Sequence, residues 1–500
     1  MLKKLFSETV VYGMGTILPR LINYLLVPIH TGVLQTDSYG IVAYFYAYAA
    51  LLNVLYTYGM ETAFFRFVDK KEGIFDQIFT AILTTSLLFS GILIAFSSNI
   101  AAGIGFPESG NYVTWFAILI ATDAILAIPF AQLRKQGKAV KFALVKISNV
   151  VLNVALNVFF LIVCRDIYEG KYLTGFQEII NTFYDPELGL GYAFLSNMIA
   201  NILQIPWFIN MFRQVRLRFH WKGFQPVFLY AYPLIFSGMA FCINEVADRI
   251  LLKYLFPEEK LKLSSIEAIG IYSACYKLSI FITLAVQAYK YAAEPFFFAQ
   301  AGKQGSPQLF ARAMKFFVIV LSIMFVAVNV NLGWISDLFL RKEAYKEGLF
   351  VVPILLMGNI FLGIYYNLAV WYKVTDKTRY GAYISIGGAF FTLVLNLLLI
   401  PQIGYAGSAL VTLFCYFGMA VSSYLIGQKF YAVPYDLGSA IFYLLIASVI
   451  VWIGREIQIE PQWGNFFIQN ALLALFALLV LFKERNEFKQ LFQRNKAIQD

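Results

Sequence analysis

Fourteen apolar runs, each close to the ~20 residues an α-helix needs to cross a bilayer, leave this chain few ways to fold. They lie at 10–32, 41–63, 78–98, 113–131, 143–163, 190–209, 228–252, 266–287, 314–335, 348–371, 381–400, 406–426, 437–454 and 466–482. In lipid every backbone N–H and C=O must bond within the protein, and these runs are too long and continuous for barrel strands. Composition agrees: 60% of residues are hydrophobic and only 14% charged, where a soluble chain carries nearer a quarter. The expected fold is an all-α polytopic membrane protein of about 14 helices. The opening MLKKLFSETVVYG looks briefly like a signal peptide, but its apolar run continues past Arg20 without a cleavage site, so a first span is expected. Cys164, Cys242, Cys275 and Cys415 show no metal-ligand spacing and read as small core hydrophobes.

Charge sets the orientation. An even number of spans puts both termini on one side. With the termini cytoplasmic, 25 of the 39 Lys and Arg fall in inner segments and 9 in outer ones. The positive-inside rule therefore predicts cytoplasmic termini. The same rule explains the net charge of +10 without nucleic acid. The inner segment 210–227 carries Arg213, Arg216, Arg218 and Lys222 among Phe and Trp. A nucleic-acid or regulatory patch is one reading of it; the other is a topology determinant lying on the anionic inner leaflet.

The chain also repeats itself. Residues 134–157 align without gaps to 373–396 at an offset of 239, so that Arg134 meets Lys373, Leu156 meets Leu395 and Asn157 meets Asn396. Gly191-Tyr192-Ala193 then matches Gly404-Tyr405-Ala406, which leaves 26 extra residues around 164–189 in the first half. A weaker echo pairs Gly40 and Tyr46 with Gly270 and Tyr276. The expected organisation is an N-terminal six-helix lobe (1–209), a basic linker (210–227), a pseudo-symmetric second six-helix lobe (228–426), two further helices (427–482) and a cytoplasmic tail (483–500). Parallel repeats of this kind build transporters that bind substrate between the halves near the midplane and alternate access.

Three stretches carry a family resemblance: PIHTGVLQTDSYGIVAYFYAYAALLNVLYTYGMETAFFRF from Pro28 to Phe67, ADRILL at 247–252 followed by AIGIYSACYKL from Ala268, and LNLLLIPQIGYAGSAL from Leu395. Together and in this order the chain resembles the polysaccharide biosynthesis (Wzx-like, O-antigen flippase) family of the multidrug/oligosaccharidyl-lipid/polysaccharide exporter superfamily. The resemblance implies paired six-helix lobes around a central cavity in the bacterial inner membrane. It also implies a cargo of undecaprenyl-diphosphate-linked oligosaccharide, moved from the cytoplasmic to the outer leaflet for surface polysaccharide or lipopolysaccharide. The longer outer segment 164–189 and the basic 253–265 depart from the commoner pattern and leave the glycan open. Expected partners are the lipid-linked oligosaccharide, membrane lipids and glycan-assembly machinery, with no nucleic acid, cofactor or metal.

Charges at membrane depth cost roughly 2.5–3.5 kcal/mol and should face protein or water. Arg20 sits mid-span with Asn23 on its polar stripe, beside Pro19, which would loosen the helix. Arg20 is either a diphosphate site, since guanidinium binds phosphate oxygens bidentately, or a tether to carbonyls. Lys277, with Gln287 further along the same run, is its expected partner across the lobes. Glu245, Asp248 and Arg249 are either an outer gate or proton-coupling group or, for Glu245 and Arg249, an i,i+4 ion pair. Asp123 stands alone in its run, as a buried acid or a coupling site. Lys146, Asn149, Asn153 and Asn157 line one helix face, and Asn153 is either a sugar contact or helix–helix glue. No Walker-type phosphate loop is present, so the expected drive is the membrane potential, H⁺ or Na⁺. A diphosphate moving outward through ~100 mV gains about 5 kcal/mol. An antiporter of cationic drugs and a peptidoglycan-precursor flippase are the rival transporters; the mid-membrane cations favour an anionic cargo. An enzyme is not expected, because there is no D-x-D pair and the only histidines are His30 and His220.

Overall fold

The computed structural model describes residues 15–300, 302–457 and 462–487. Among them the chain is helix joined by turns, with no strand. In the first half the principal helices are α1 (Leu26–Val33), α2 (Thr36–Thr57), α3 (Met60–Phe67), α4 (Ile74–Ala95), α5 (Gly110–Lys135), α6 (Ala139–Val158) and α7 (Gly191–Ile202). Then follow α8 (Trp221–Leu255), α9 (Ser265–Lys277), α10 (Ile280–Gln300), α11 (Ser306–Val330) and α12 (Val352–Leu368). The last are α13 (Arg379–Ile403), α14 (Tyr405–Phe430), α15 (Leu437–Glu456) and α16 (Gln462–Lys483). Among the described residues twelve helical stretches are long and apolar enough to cross a membrane, and the α9–α10 pair, bent by 49°, is either a thirteenth, broken span or a re-entrant loop. The first expected span begins outside the described residues. Its remainder, 15–23 and α1, is helical on both sides of a break.

Several expected spans are broken where the sequence says why. The chain turns at Tyr24–Leu25, with Leu25 N–H bonded to the Ile22 carbonyl and Val27 N–H to the Tyr24 carbonyl, both at 3.0 Å. Pro28 causes this, because it lacks an N–H and its ring crowds the carbonyl four residues earlier. Residues 15–23 run helical through Pro19, whose missing N–H leaves the residue 15 carbonyl without an i+4 backbone donor. The run 41–63 divides into α2 and α3 at Tyr58 and Gly59, both left-handed (φ 32° and 73°). Glycine at the second position relieves the steric cost of that conformation. The segment 164–189 is structured: short helices Arg165–Tyr168 and Gln177–Phe183 fold beside a stack of Tyr184, Tyr192 and Phe160 with centroids 5.0 and 4.9 Å apart.

Two compact units emerge. The first comprises Met1–Ala274, Leu340–Tyr345 and Ser385–Val411. Its core is aromatic: Phe194 lies 4.9 Å from Phe116 and 5.0 Å from Tyr112 by ring centroid. Residues matched in the sequence repeat make like contacts here. A methyl group on Gly40 would overlap the Ile266 carbonyl oxygen, and one on Gly270 would overlap that of Thr36. Each glycine of this matched pair therefore packs on backbone one turn before the other, the close approach that only small residues permit. Matched asparagines also behave alike: Asn157 Nδ2 donates to the Asn153 carbonyl and Asn396 Nδ2 to the Thr392 carbonyl, each at 2.8 Å.

The second unit comprises Cys275–Phe339, Lys346–Ile384 and Thr412–Asp500. Gly363 packs against Val286 and Phe317, and Trp371 donates to Ser423 Oγ at 3.2 Å. Lys315 on α11 reaches Glu484 at 2.7 Å and Glu487 at 3.0 Å, which ties the end of α16 to this unit. Asp436 caps α15 by accepting the Ser439 N–H at 3.0 Å.

Candidate transport site

The richest polar cluster in the first unit assembles between α2, α5, α6 and α7. Asp123 on α5 is half-buried, and the Lys146 charge on α6 lies within electrostatic reach of it. Lys146 Nζ also stands over the Phe130 ring, 4.0 Å from its centroid, so two neighbours offset the cost of holding that cation. Asn201 on α7 approaches the Asp123 carboxylate as a donor. The Asn201 Oδ1 atom accepts from Asn149 at 3.2 Å and from Gln204 at 2.6 Å. Asn197, one turn earlier, donates to Tyr46 OH at 2.6 Å, and Tyr46 is itself within electrostatic reach of Asp123. Gln204 Oε1 is buried and accepts no hydrogen bond. An unsatisfied buried acceptor in such a network is a place for water or a proton-carrying group.

Asp123 therefore has a cationic neighbour that its own helix does not reveal. The sequence reading also passed over Asn197, Asn201 and Gln204. Their i, i+4, i+7 spacing on one apolar run was the available signal, since three amides on one face of a membrane helix require partners.

The candidates on α8 form a second centre. Tyr272 OH donates to Asp248 Oδ2 at 2.6 Å, and Arg249 Nη1 pairs with Asp248 Oδ1 at 2.9 Å. The same Nη1 donates to the Glu245 carbonyl oxygen at 2.6 Å. Asp248 and Arg249 are buried, while Glu245 is half-buried. Asn244 joins α8 to α13, donating to the Ser385 carbonyl and accepting from Thr392 Oγ1 at 2.9 Å.

Asn153 is buried, and both its carbonyl and its Oδ1 accept from Asn157, whose own Oδ1 lies 2.8 Å from His30 Nε2. The bond to another helix is made by Asn157, to His30 on α1, while Asn153 accepts within α6. Arg20 and Asn23 project exposed from helix 15–23 in the first unit. Lys277 and Gln287 belong to the second and are half-buried. Lys277 closes α9 at the bend, where Leu278 and Ser279 bond back to Cys275 and Tyr276, and Gln287 follows on α10. Among the described residues no group of three or more His, Cys, Asp or Glu is placed to hold a metal.

Comparison with known proteins places this architecture. Residues 31–169 match the polysaccharide biosynthesis protein family. The Lsg locus protein 1 of Haemophilus influenzae is 22% identical over 307 residues, 59% of this chain, and the chain covers 66% of that relative's length. Among solved structures, the lipid II flippase MurJ in an inward closed conformation matches with a TM-score of 0.72 at 14% identity, over 96% of this chain and all of that one. An inward-facing multidrug resistance MATE family transporter of the MOP superfamily matches with a TM-score of 0.60 at 13% identity, over 84% of this chain and 97% of that one. The bent form of the Vibrio cholerae MATE transporter VcmN gives 0.54 at 15% identity, over 88% and 98%. A polysaccharide biosynthesis family match thus covers residues 31–169 of this multi-pass membrane protein, and its fold along nearly the whole length is similar to that of these flippase and multidrug transporter structures.

Proposed function

We propose that the chain flips an undecaprenyl-diphosphate-linked oligosaccharide from the cytoplasmic to the outer leaflet by alternating access, supplying surface polysaccharide or lipopolysaccharide synthesis. The observation that carries this reading is the polysaccharide biosynthesis match at 31–169 within a fold shared with a lipid II flippase. Arg20 and Lys277, with Asn23 and Gln287, take the diphosphate and the first sugars, because guanidinium and ammonium groups suit phosphate oxygens. Asp123 with Lys146 is the coupling pair in the first half, and Asp248 with Arg249 and Glu245 gates the outer end. A proton bound at Asp123 releases Lys146 from the pair, so protonation changes what holds α5 to α6. The fold serves drug antiport equally well, but cations at membrane depth favour an anionic cargo.

The test is a strain whose own copy of this gene is replaced by variants. Arg20→Ala and Lys277→Ala are expected to remove surface glycan at unchanged protein level while lipid-linked oligosaccharide accumulates. Normal surface glycan from both variants would overturn the diphosphate site. Failure of cell-wall synthesis with intact surface glycan would instead assign the peptidoglycan precursor as cargo.

A further inference from the structure

Away from the polar cluster, the first unit carries a concave apolar cleft between α2, α4 and α8. Its larger part, about 460 Å³, is walled by side chains such as Leu55, Tyr56, Phe89, Ile92 and Ile235. A second part, about 380 Å³, continues it past Phe219, Trp221 and Phe224, and the two share Tyr58, Thr85 and Phe228. The cleft arises from the helix breaks: α2 stops at the left-handed Tyr58–Gly59, and α8 carries Pro226 and Pro233. Gly59 allows the two to touch, since a methyl group there would lie 3.0 Å from the Ala231 carbonyl. Along α4 the lining runs from Ala81 to Leu93. That rise is about 18 Å at 1.5 Å per residue, close to one leaflet's half of a ~30 Å hydrocarbon core. α16 also presents apolar side chains to its surroundings, among them Leu475, Leu478 and Phe482.

Beyond Phe219 and Trp221 the chain turns basic. Arg213, Arg216, Arg218 and Lys222 are all exposed, on the stretch of chain that supplies Phe219, Trp221 and Phe224 to the second part of the cleft. Lys71 joins them by donating to the Gly223 carbonyl at 3.1 Å, and Arg66 lies over the Tyr230 ring. The segments 60–77, 132–142 and 210–227 together hold eleven Lys and Arg against four acids. Of those acids, Glu61 pairs with Arg134 and Asp69 with Lys135.

We propose that this cleft is a binding site for one anionic phospholipid, with an acyl chain between α2, α4 and α8 and its phosphate on the 213–222 cations. A lipid that remains in its leaflet matches the one-leaflet length, and four exposed cations match its charge. The cleft lining includes none of the proposed cargo residues Arg20, Asn23, Lys277 and Gln287, and the proposal does not depend on what the cargo is.

The experiment uses the full chain in nanodiscs containing phosphatidylglycerol with a diazirine in one acyl chain, and maps the crosslinks by peptide mass spectrometry. Crosslinks concentrated at Leu55, Phe89 and Phe228 are expected. Arg213→Gln/Arg216→Gln/Arg218→Gln/Lys222→Gln should lower them about tenfold with melting unchanged. Phosphatidylcholine bearing the same chains should label the cleft as weakly as the variant does. That lipid comparison on the unaltered chain stands even if the variant fails to fold. Equal labelling by the two lipids, or crosslinks spread as densely over α15 and α16, would overturn the proposal by showing ordinary boundary lipid. Displacement of the phospholipid by an equimolar polyprenyl phosphate would overturn it in favour of a carrier-lipid groove.

Discussion

Helices α6 and α13 occupy matching places in the repeat, yet only one of them is charged at membrane depth. On α6 the polar face reads Lys146, Asn149, Asn153 and Asn157; at the offset of 239 the same positions on α13 are Ser385, Gly388, Thr392 and Asn396. Carrying that offset back along α5 sets Asp123 against Leu362. The carboxylate and ammonium of the first half thus face, in the second, a leucine and a serine. Where the halves agree, at Gly40 with Gly270 and Asn157 with Asn396, the residues make the same backbone contacts. Shared positions make like backbone contacts; among the positions that differ are those of the proposed coupling pair, which only one half carries.

The matched glycines offer the largest expected effect. Gly40→Val and Gly270→Val each force backbone apart at the α2–α9 crossing, and should cost roughly 3 kcal/mol or more by thermal melting in detergent. Little change in either would mean that the crossing is not a constraint. Next, Lys146→Ala alone leaves Asp123 without its nearest cation and should cost roughly 2 kcal/mol, below the 3–5 kcal/mol of a fully buried pair. The double change Asp123→Leu/Lys146→Ser copies the second half and should restore most of that stability while abolishing transport. Retained transport in the double variant would make the pair purely structural. Asn157→Ala and Asn396→Ala should each cost about 1 kcal/mol, since each removes one tethered amide. A several-fold difference between them would break the equivalence of the halves.

The smallest effect lies outside the repeat. Ser439 hydrogen bonds hold Asp436 below the usual carboxylate range. Its cap should contribute about 1 kcal/mol at neutral pH, lost in Asp436→Ala. A depressed folded value stabilises only above the unfolded one. Melting curves of the variant and the parent should therefore converge as pH falls through the lowered value.

Much of this was written in one dimension. Every apolar run overlaps a described helix, because backbone satisfaction in lipid allows nothing else. The repeat was legible at Asn157 and Asn396, each of which donates to the carbonyl four residues earlier. The breaks were less so: the influence of Pro28 acts four residues upstream at Tyr24, and the Tyr58–Gly59 turn lies inside an unbroken apolar stretch. For the site, Asp123 stood out by its rarity at that depth. Its partner did not, because Lys146 comes from the next helix and only helix packing decides which faces meet. Asp248 shows the same limit. Sequence spacing favoured Glu245 as the mate of Arg249, whereas the buried geometry also brings Asp248 to it, and Asp248 in turn accepts from the Tyr272 hydroxyl.

The most direct test is the leaflet in which the lipid-linked oligosaccharide resides when this protein is removed. In spheroplasts depleted of the chain, flipping predicts that the intermediate becomes inaccessible to an impermeant glycan-cleaving enzyme. Re-expression should restore access, and the Asp123→Leu/Lys146→Ser form should not. An intermediate equally accessible with and without the protein would contradict a role in moving it across the membrane.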